Sequence, residues 1–197
     1  RSMDRKPSRR ARLFAPARPA DHQASSTEYK SLGHAVRELL DVNRHPFYGG
    51  GHEAELELFL AVEGHDVVGR IAAILNHAYN RFHDEKVVFF GFFESIDRPD
   101  VARALLSAVE QWAAERGATA VLGPMNPSTN YECGLLVEGF DRPPVAIMPY
   151  NPAYYVDLIE GAGLAKAMDL YAWYVDHSLI NIPAKVDKIV DRVRNKS

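Results

Sequence analysis

The sequence contains one cysteine, Cys133, in 197 residues. A single thiol cannot form an internal disulfide framework, and scarce cysteine is typical of a protein of the reducing cytoplasm. Long apolar runs are also missing, since no segment approaches the ~20 residues that a membrane-spanning helix needs. The net charge is only -3, which gives no reason to expect nucleic acid or an acidic partner. We therefore predict a cytoplasmic protein with no membrane span and no sequence-specific nucleic-acid partner.

The positive charge is concentrated at the N-terminus, where the lone acid Asp4 stands among lysines and arginines in a segment rich in Pro and Ala. We predict that residues 1–26 form a disordered basic tail, in which Arg1-Ser2 ahead of Met3 resembles a cloning remnant. The alternative is that this tail binds weakly to an anionic membrane or to nucleic acid. We assign residues 27–177 to one α/β domain and residues 178–197 to a C-terminal amphipathic helix or linker.

Hydrophobic periodicity predicts the elements of that domain. A helix in "TEYKSLGHAVRELLDVN" ends at three glycines, and "AELELFLAVEG" and "DVVGRIAAILN" form a hairpin. The third strand, "EKVVFFGFFESI", is nearly all apolar, which implies burial on both faces. A helix follows in "PDVARALLSAVEQWAAERG", with Val101, Leu105 and Trp112 on its apolar face, and then a parallel strand in "ATAVLGPM". The chain continues with a helix in "NPAYYVDLIEGAGL", capped by Asn151, and a strand in "AKAMDLYAWYVD".

This order of elements resembles the GNAT-type N-acetyltransferase fold, a mixed central sheet flanked by helices. The segments "VVGRIAAILN", "ARALLSAVEQWAAERGATAVLG" and "NPAYYVDLIEGAGLAKAMDLYAWYV" resemble its second strand, its acetyl-CoA-binding helix and its closing elements. The segments "FFGFFE", "GPMNPSTNYECGLLVEGFDRPP" and "YNPAYY" are similar to a bacterial GNAT-like family whose members usually carry two such halves. The resemblance covers about residues 53–176. It implies a homodimer or a second GNAT-like half as the partner.

The resemblance implies acetyl-CoA or another acyl-CoA as cofactor. GNAT enzymes hold its pyrophosphate with a glycine-rich loop at the start of the central helix, where backbone N–H groups are free. Here "IDRPDVARALL" places Asp97 and Asp100 in that loop, and an anion there repels phosphate. Arg98 and Arg103 are the cations that offset the two acids. The cofactor-binding residues that the resemblance implies are Phe93, Ile96, Arg98, Val101, Ala102, Arg103 and Asn151.

Catalysis requires a base for the amine and an acid for the departing thiolate. Glu94, at the end of the buried strand, is the base candidate, and a solvent-facing carboxylate is its alternative. Ile159 stands where the family has its acid tyrosine, so Tyr154 and Tyr155 become the acid candidates, with aromatic core packing as their alternative.

The irregular segment "GPMNPSTNYECG" follows a parallel strand, at the edge where open α/β sheets bind ligands. We predict that it binds a small-molecule substrate, although Asx- and ST-turns are an alternative explanation for its composition. The predicted substrate-binding residues are Asn126, Ser128, Asn130 and Glu132. Cys133 is more typical of a small buried side chain than of a nucleophile. We predict no metal, because His45, His52, Glu53 and Glu55 match no ligand spacing.

The sequence thus favours a GNAT-like N-acyltransferase that uses an acyl-CoA on an amine and has a degenerate pyrophosphate loop. The alternative is a catalytically inactive GNAT-like module for ligand binding or dimerisation, favoured by Asp97, Asp100 and Ile159. A nucleotide hydrolase is a weaker third interpretation, since the sequence shows no acidic metal-binding cluster of the kind it needs.

Overall fold

The computed structural model describes residues 9–16, 30–31, 54–173, 186, 191–192 and 194. Over the described residues between positions 9 and 172, ten strands and three helices follow one another. In order they are β1 (Arg9–Pro16), β2 (Lys30–Ser31), β3 (Ala54–Glu63), β4 (Asp66–Asn76), α1 (His77–His83), β5 (Val87–Ser95), α2 (Pro99–Glu115), β6 (Ala120–Leu122), β7 (Met125–Asn126), β8 (Glu132–Cys133), β9 (Leu135–Glu138), α3 (Tyr155–Gly161) and β10 (Leu164–Ala172).

The larger sheet contains five strands in the order β2-β3-β4-β5-β6. Strands β3 and β4 form the predicted antiparallel hairpin, with its turn at Gly64-His65, and β4 pairs antiparallel with β5. Strand β6 then runs parallel to β5 after the helical crossover through α2. The fold is a mixed α/β fold with a central sheet, as the sequence predicts.

Helix α2 packs its apolar face on the sheet and forms the main core. The residues predicted for that face, among them Val101, Leu105 and Trp112, are all buried and belong to one cluster with β5. Strand β5 is buried on both faces, since Phe89 and Phe90 point to opposite sides and neither is more than 1% exposed. Burying side chains of this size contributes about 1.5–3 kcal/mol each to folding.

A second sheet, in the order β10-β1-β9, corrects the predicted disordered tail over residues 9–16. Leu13 and Phe14 of this segment are buried. Arg10 pairs with Glu138 of β9, and Arg12 with Asp169 of β10. The arginines therefore have carboxylate partners from strands more than a hundred residues away, and composition alone could not reveal them.

The two sheets meet at Phe14 and Gly123, whose backbone groups exchange two hydrogen bonds of 2.6 and 3.0 Å. A Cβ on Gly123 would lie 2.4 Å from the carbonyl oxygen of Phe90, so glycine permits this close approach. The segment "GPMNPSTNYECG" follows β6, and we call it the polar segment. The junction positions it against the open end of β5.

Two predicted helices lie mostly outside the described residues, and one observed helix was not predicted. Most of the helix predicted after residue 26 lies outside the described residues, and Lys30–Ser31 within it pairs with β3 as strand β2. Most of the predicted C-terminal helix also lies outside them, although residues 186, 191–192 and 194 are helical. Helix α1 was not predicted, and Asn76 caps it by accepting a 2.9 Å hydrogen bond from the Tyr79 amide.

Candidate active site

The candidate site lies where β5 separates from its neighbours. Strands β5 and β6 pair only as far as Phe89 and Leu122, and the β4–β5 register shifts between Arg70 and Ala72. Phe92 has a φ of 50°, which is strained for a residue with a side chain. Its amide leaves the ladder and donates a 2.6 Å hydrogen bond to Oδ1 of Asn126. The irregular backbone opens a space beside the last residues of β5.

Gly91 lets the polar segment cross β5 at this point. A Cβ at position 91 would lie 1.9 Å from the carbonyl oxygen of Met125 and 2.9 Å from Oδ1 of Asn126. No other residue fits beneath β7 without moving it. The glycine in "FFGFFE" is therefore required for the approach of the segment that begins at Gly123.

The space is a cavity of about 440 Å³, which we call the acidic cavity. Its wall includes one arginine and two glutamates among amide, aromatic and proline side chains. The polar members are Arg70, Glu94, Asn126, Glu132 and Asn151. With two carboxylates against one guanidinium, the charged side chains of the wall favour a cationic ligand.

Glu94 enters this cavity from the end of β5, where it was predicted. The hydroxyl of Tyr155 donates to Oε2 of Glu94 at 2.5 Å and accepts from the amide of Ser95 at 3.1 Å. Nη2 of Arg70 lies 3.8 Å from Oε1 of Glu94. Tyr155 thus fixes one carboxylate oxygen and leaves the other beside the arginine. Glu94 is half-exposed, with 57% of its side chain accessible, so a ligand can reach it.

The two tyrosines are close but differ in their surroundings. Tyr155 is 3% exposed, and burial followed by the hydrogen bond to Glu94 raises its pKa well above the ordinary range. Tyr154 donates to the carbonyl oxygen of Ser95 at 3.0 Å, and burial, Asp97 and Glu94 raise its pKa. Both hydroxyls are therefore protonated at neutral pH.

Glu132 and Asn126 complete the polar wall. Nδ2 of Asn126 donates to Oε1 of Glu132 at 3.2 Å. Burial raises the pKa of Glu132, the hydrogen bond from Asn126 opposes this, and the nearby charge of Glu94 raises it further. The structure places these two predicted substrate-binding residues in the same cavity as the predicted base.

Two other predicted substrate-binding residues lie elsewhere. Ser128 and Asn130 border a separate cavity of about 220 Å³ beside α1. Within this segment Oγ of Ser128 accepts a 3.3 Å hydrogen bond from the Asn130 amide, the turn geometry that was the alternative interpretation.

The residues predicted to bind a cofactor are also dispersed. Val101 and Ala102 are 7% and 0% exposed in the core, whereas Ile96 is at the surface. Arg103 donates to the carbonyl oxygen of Gly161 at 3.1 Å and so closes the C-terminal end of α3. Phe93 packs edge-on against Tyr155 and borders the acidic cavity.

Asn151 does not cap the helix as predicted, because α3 begins at Tyr155. Its buried side chain instead accepts a 2.7 Å hydrogen bond from the Leu136 amide and donates to the carbonyl oxygen of Pro152 at 2.9 Å. It therefore holds the segment before α3 against β9, in the wall of the acidic cavity.

Charged side chains already pair with one another at the start of α2, where the resemblance implies a pyrophosphate loop. The guanidinium of Arg98 contacts Glu63 at 2.9 and 3.0 Å and Asp100 at 2.5 and 3.1 Å. The hydrogen bond from Arg98 is the main cause that lowers the pKa of Asp100, and the amides of Asp100 and Val101 also contribute. Asp100 lies inside the first turn rather than at its N-cap, which is Arg98. A carboxylate thus occupies the end of the helix dipole.

Sequence reasoning missed Arg70 and Pro149 as members of the cavity wall. Arg70 lies in mid-strand, and only its register opposite Glu94 shows its role. Among the described residues no three His, Cys, Asp or Glu side chains are grouped as a metal site would require. Three residues of the rejected metal set, at positions 45, 52 and 53, lie outside the described residues. Glu55 contacts His77 and Arg116.

Two bacterial proteins are similar to this chain in sequence. Protein YghO of Escherichia coli (strain K12) is 35% identical over 140 residues, which are 71% of this chain and 36% of that protein. The bacterial ceramide synthase of Caulobacter vibrioides (strain NA1000 / CB15N) is 38% identical over 142 residues, which are 72% of this chain and 36% of that protein. The chain thus matches about a third of the length of each relative. No protein-family model matches the sequence.

Two solved structures give more distant likenesses. A functionally unknown conserved protein from Staphylococcus epidermidis ATCC 12228 has a TM-score of 0.42 at 12% identity, covering 82% of this chain and 59% of that one. A putative acetyltransferase from the GNAT family of Novosphingobium aromaticivorans DSM 12444 has a TM-score of 0.39 at 15% identity, with coverages of 83% and 63%. In the part of the chain that the structure describes, no helix is both long and apolar enough to span a membrane.

Proposed function

We propose that this chain is a GNAT-like N-acyltransferase domain whose acidic cavity binds the acceptor amine and whose Glu94 removes a proton from it. One observation carries the proposal: two carboxylates, Glu94 and Glu132, line one cavity at the open end of β5. An alkylammonium ion between them is attracted by both charges. The amine must lose a proton before it attacks an acyl group, and a carboxylate within hydrogen-bond reach can accept it.

Tyr155 acts as a positioning residue in this scheme. Its hydroxyl is committed to Oε2 of Glu94 and to the Ser95 amide, so the carboxylate cannot rotate freely. Oε1 is then the oxygen that accepts the proton of the amine. Tyr154, whose hydroxyl donates to the Ser95 carbonyl oxygen, keeps the acid role predicted from the sequence.

The acyl donor implied by the resemblance is an acyl-CoA. The start of α2 weakens the binding of its pyrophosphate, because Asp100 faces the first amides and Arg98 is shared between Asp100 and Glu63. Two carboxylates beside one guanidinium repel an added anion. This observation favours the second candidate function, in which the chain binds the amine without transferring an acyl group to it.

The proposed acceptor class is a long-chain amino alcohol. One relative is named a ceramide synthase, and a ceramide is the N-acylated form of such an amine. The amine head group is expected in the acidic cavity because its charge matches Glu94 and Glu132.

The test is an N-acylation assay on the purified chain with sphinganine and palmitoyl-CoA, with the amide product measured by mass spectrometry. We expect product with the native chain and a loss of about 10²–10⁴-fold in rate for Glu94→Gln, the range attributed to a general base. Glu115→Gln is the matched control, because Glu115 carries the same group on the surface at the C-terminal end of α2 and lies outside the cavity wall.

Calorimetry with sphinganine separates the two candidate functions. Sphinganine binding that Glu94→Gln weakens, with no amide formed, would support the ligand-binding module. Absence of both binding and product would overturn the assignment of the acidic cavity to an amine.

A further inference from the structure

A second cavity lies on the other side of the chain segment formed by residues 131–136. Glu132 and Leu135 of this segment line the acidic cavity, whereas Cys133 and Leu136 line the second one. An extended chain points successive side chains to opposite sides, with the break at Gly134, so one segment forms the wall of both. Pro149 borders both cavities. The second cavity has a volume of about 200 Å³, and we call it the apolar cavity.

The apolar cavity has the composition and size of a site for a hydrocarbon chain. Its wall is formed mainly by aliphatic and sulfur-containing side chains from β1, β8, β9, β10 and the segment before α3, namely Ala11, Cys133, Leu136, Met148, Leu170 and Ala172. It exceeds the ~150 Å³ apolar cavity that admits a benzene-sized guest. Burial raises the pKa of the Cys133 thiol, which keeps this side chain neutral. The wall therefore favours an uncharged, flexible chain.

Among the described residues of this wall Arg9 is the one charged side chain, and no described carboxylate pairs with it. It is 6% exposed, and it donates to two backbone carbonyl oxygens, those of Gly139 at 3.3 Å and Arg142 at 3.0 Å. Its third nitrogen, Nη1, is buried and has no hydrogen-bond partner. Arg10 and Arg12 of the same strand each pair with a carboxylate, whereas the described residues give Arg9 none.

An uncompensated buried guanidinium is costly unless an anion joins it. A carboxylate matches its geometry and accepts two charge-assisted hydrogen bonds. Arg9 and the apolar wall together therefore require a ligand that is anionic at one end and apolar along the rest. The ring of Tyr150, with its centroid 5.9 Å from the guanidinium carbon, lies over one face of the cation.

We propose that the apolar cavity binds a long-chain carboxylate, a fatty acid, with its head group at Arg9 and its chain along the aliphatic wall. Ile147 and Tyr171 border the cavity and are 63% and 50% exposed, so a chain longer than the cavity continues between them over apolar surface. This site does not rest on the proposed function, because neither Glu94 nor Glu132 lines it.

Isothermal titration calorimetry of the purified chain tests this site with dodecanoate, kept below its micelle concentration. The comparison ligands are acetate, which lacks the chain, and dodecanol, which lacks the charge. We expect dodecanoate to bind, acetate not to bind, and dodecanol to bind about tenfold more weakly than dodecanoate, the loss expected for a charge-assisted hydrogen bond.

Two variants separate the head group from the chain. Arg9→Gln should weaken dodecanoate about tenfold and leave dodecanol unchanged, while Arg10→Gln, on the neighbouring residue outside the cavity wall, is the control. Ala172→Leu fills the cavity without removing a charge and should weaken both ligands.

Equal affinity for dodecanoate in native chain and Arg9→Gln, or acetate binding as well as dodecanoate, would overturn the proposal. If Arg9→Gln does not fold, Ala172→Leu decides: unchanged dodecanoate affinity then refutes the site. Glu94→Gln should bind dodecanoate normally whether or not it still acylates an amine, so this inference and the proposed function can fail separately.

Discussion

Replacing Tyr155 by phenylalanine tests the hydrogen-bond network beneath the acidic cavity. The substitution removes one oxygen and keeps the ring, which packs edge-on against Phe93 and Tyr154 with centroids 5.1 and 5.2 Å away. Two hydrogen bonds are lost, the one to Glu94 and the one from the Ser95 amide. Because Ser95 is 6% exposed, its amide cannot readily bond to water instead.

The expected cost follows from that buried amide. Leaving a buried donor without a partner destabilises a protein by about 1–3 kcal/mol, so we expect Tyr155→Phe to lower the free energy of unfolding by about 2 kcal/mol. For a chain of this size that corresponds to a fall in Tm of about 4–8 °C. Tyr154→Phe is the control, because it removes a hydroxyl from the neighbouring ring and leaves no amide unpaired. We expect it to cost at most about 1 kcal/mol.

Urea unfolding followed by circular dichroism measures both values at pH 7. Equal destabilisation by the two variants would show that the Ser95 amide finds another partner and that Tyr155 does not hold this network. The free energy of unfolding measured at several pH values tests the role of Tyr155 a second time. The pKa of Tyr155 is raised in the folded state, so its contribution is complete below pH 10 and is lost as the pH rises above that. The native chain should therefore lose stability above pH 10 faster than Tyr155→Phe.

Three further outcomes are expected. Asp169→Asn should destabilise the chain at pH 7 and progressively less as the pH falls below 3.8, because desolvation raises the pKa of Asp169 but the hydrogen bonds and charges of Arg12 and Lys166 together lower it further; a constant difference across pH, seen by thermal melts, would contradict this. Gly91→Ala should displace β7, because the added Cβ would clash with Met125. We expect faster amide hydrogen exchange at Asn126, and unchanged exchange would contradict the structure. Asp100→Gly should tighten palmitoyl-CoA binding measured by calorimetry, and equal or weaker binding would refute the account of the α2 start.

The sequence was sufficient for the elements whose pattern is local. The hairpin of β3 and β4, the two-sided burial of β5 and the apolar face of α2 follow from periodicity within one segment, and all three are confirmed. The mixed α/β class follows from their order.

Features that depend on distant partners could not be predicted. Asn151 has the sequence context of a helix cap, yet its side chain completes the hydrogen bonding of Leu136, fifteen residues earlier. The four predicted substrate-binding residues split between two cavities because of turns that pattern alone does not resolve. The cofactor positions carried over from the resemblance assumed an open helix start, whereas Glu63 from β3 closes it through Arg98.

Strand β1 has a consequence for how this protein can be shortened or synthesised. It lies between β9 and β10, and these two strands pair with β1 rather than with each other. Removing residues 1–16 as a dispensable leader would therefore leave two unpaired strand edges, which are templates for aggregation. On the ribosome, β1 must wait until residues 164–172 emerge before its β10 ladder can form. The first described strand of the chain is therefore among the last to complete its pairing.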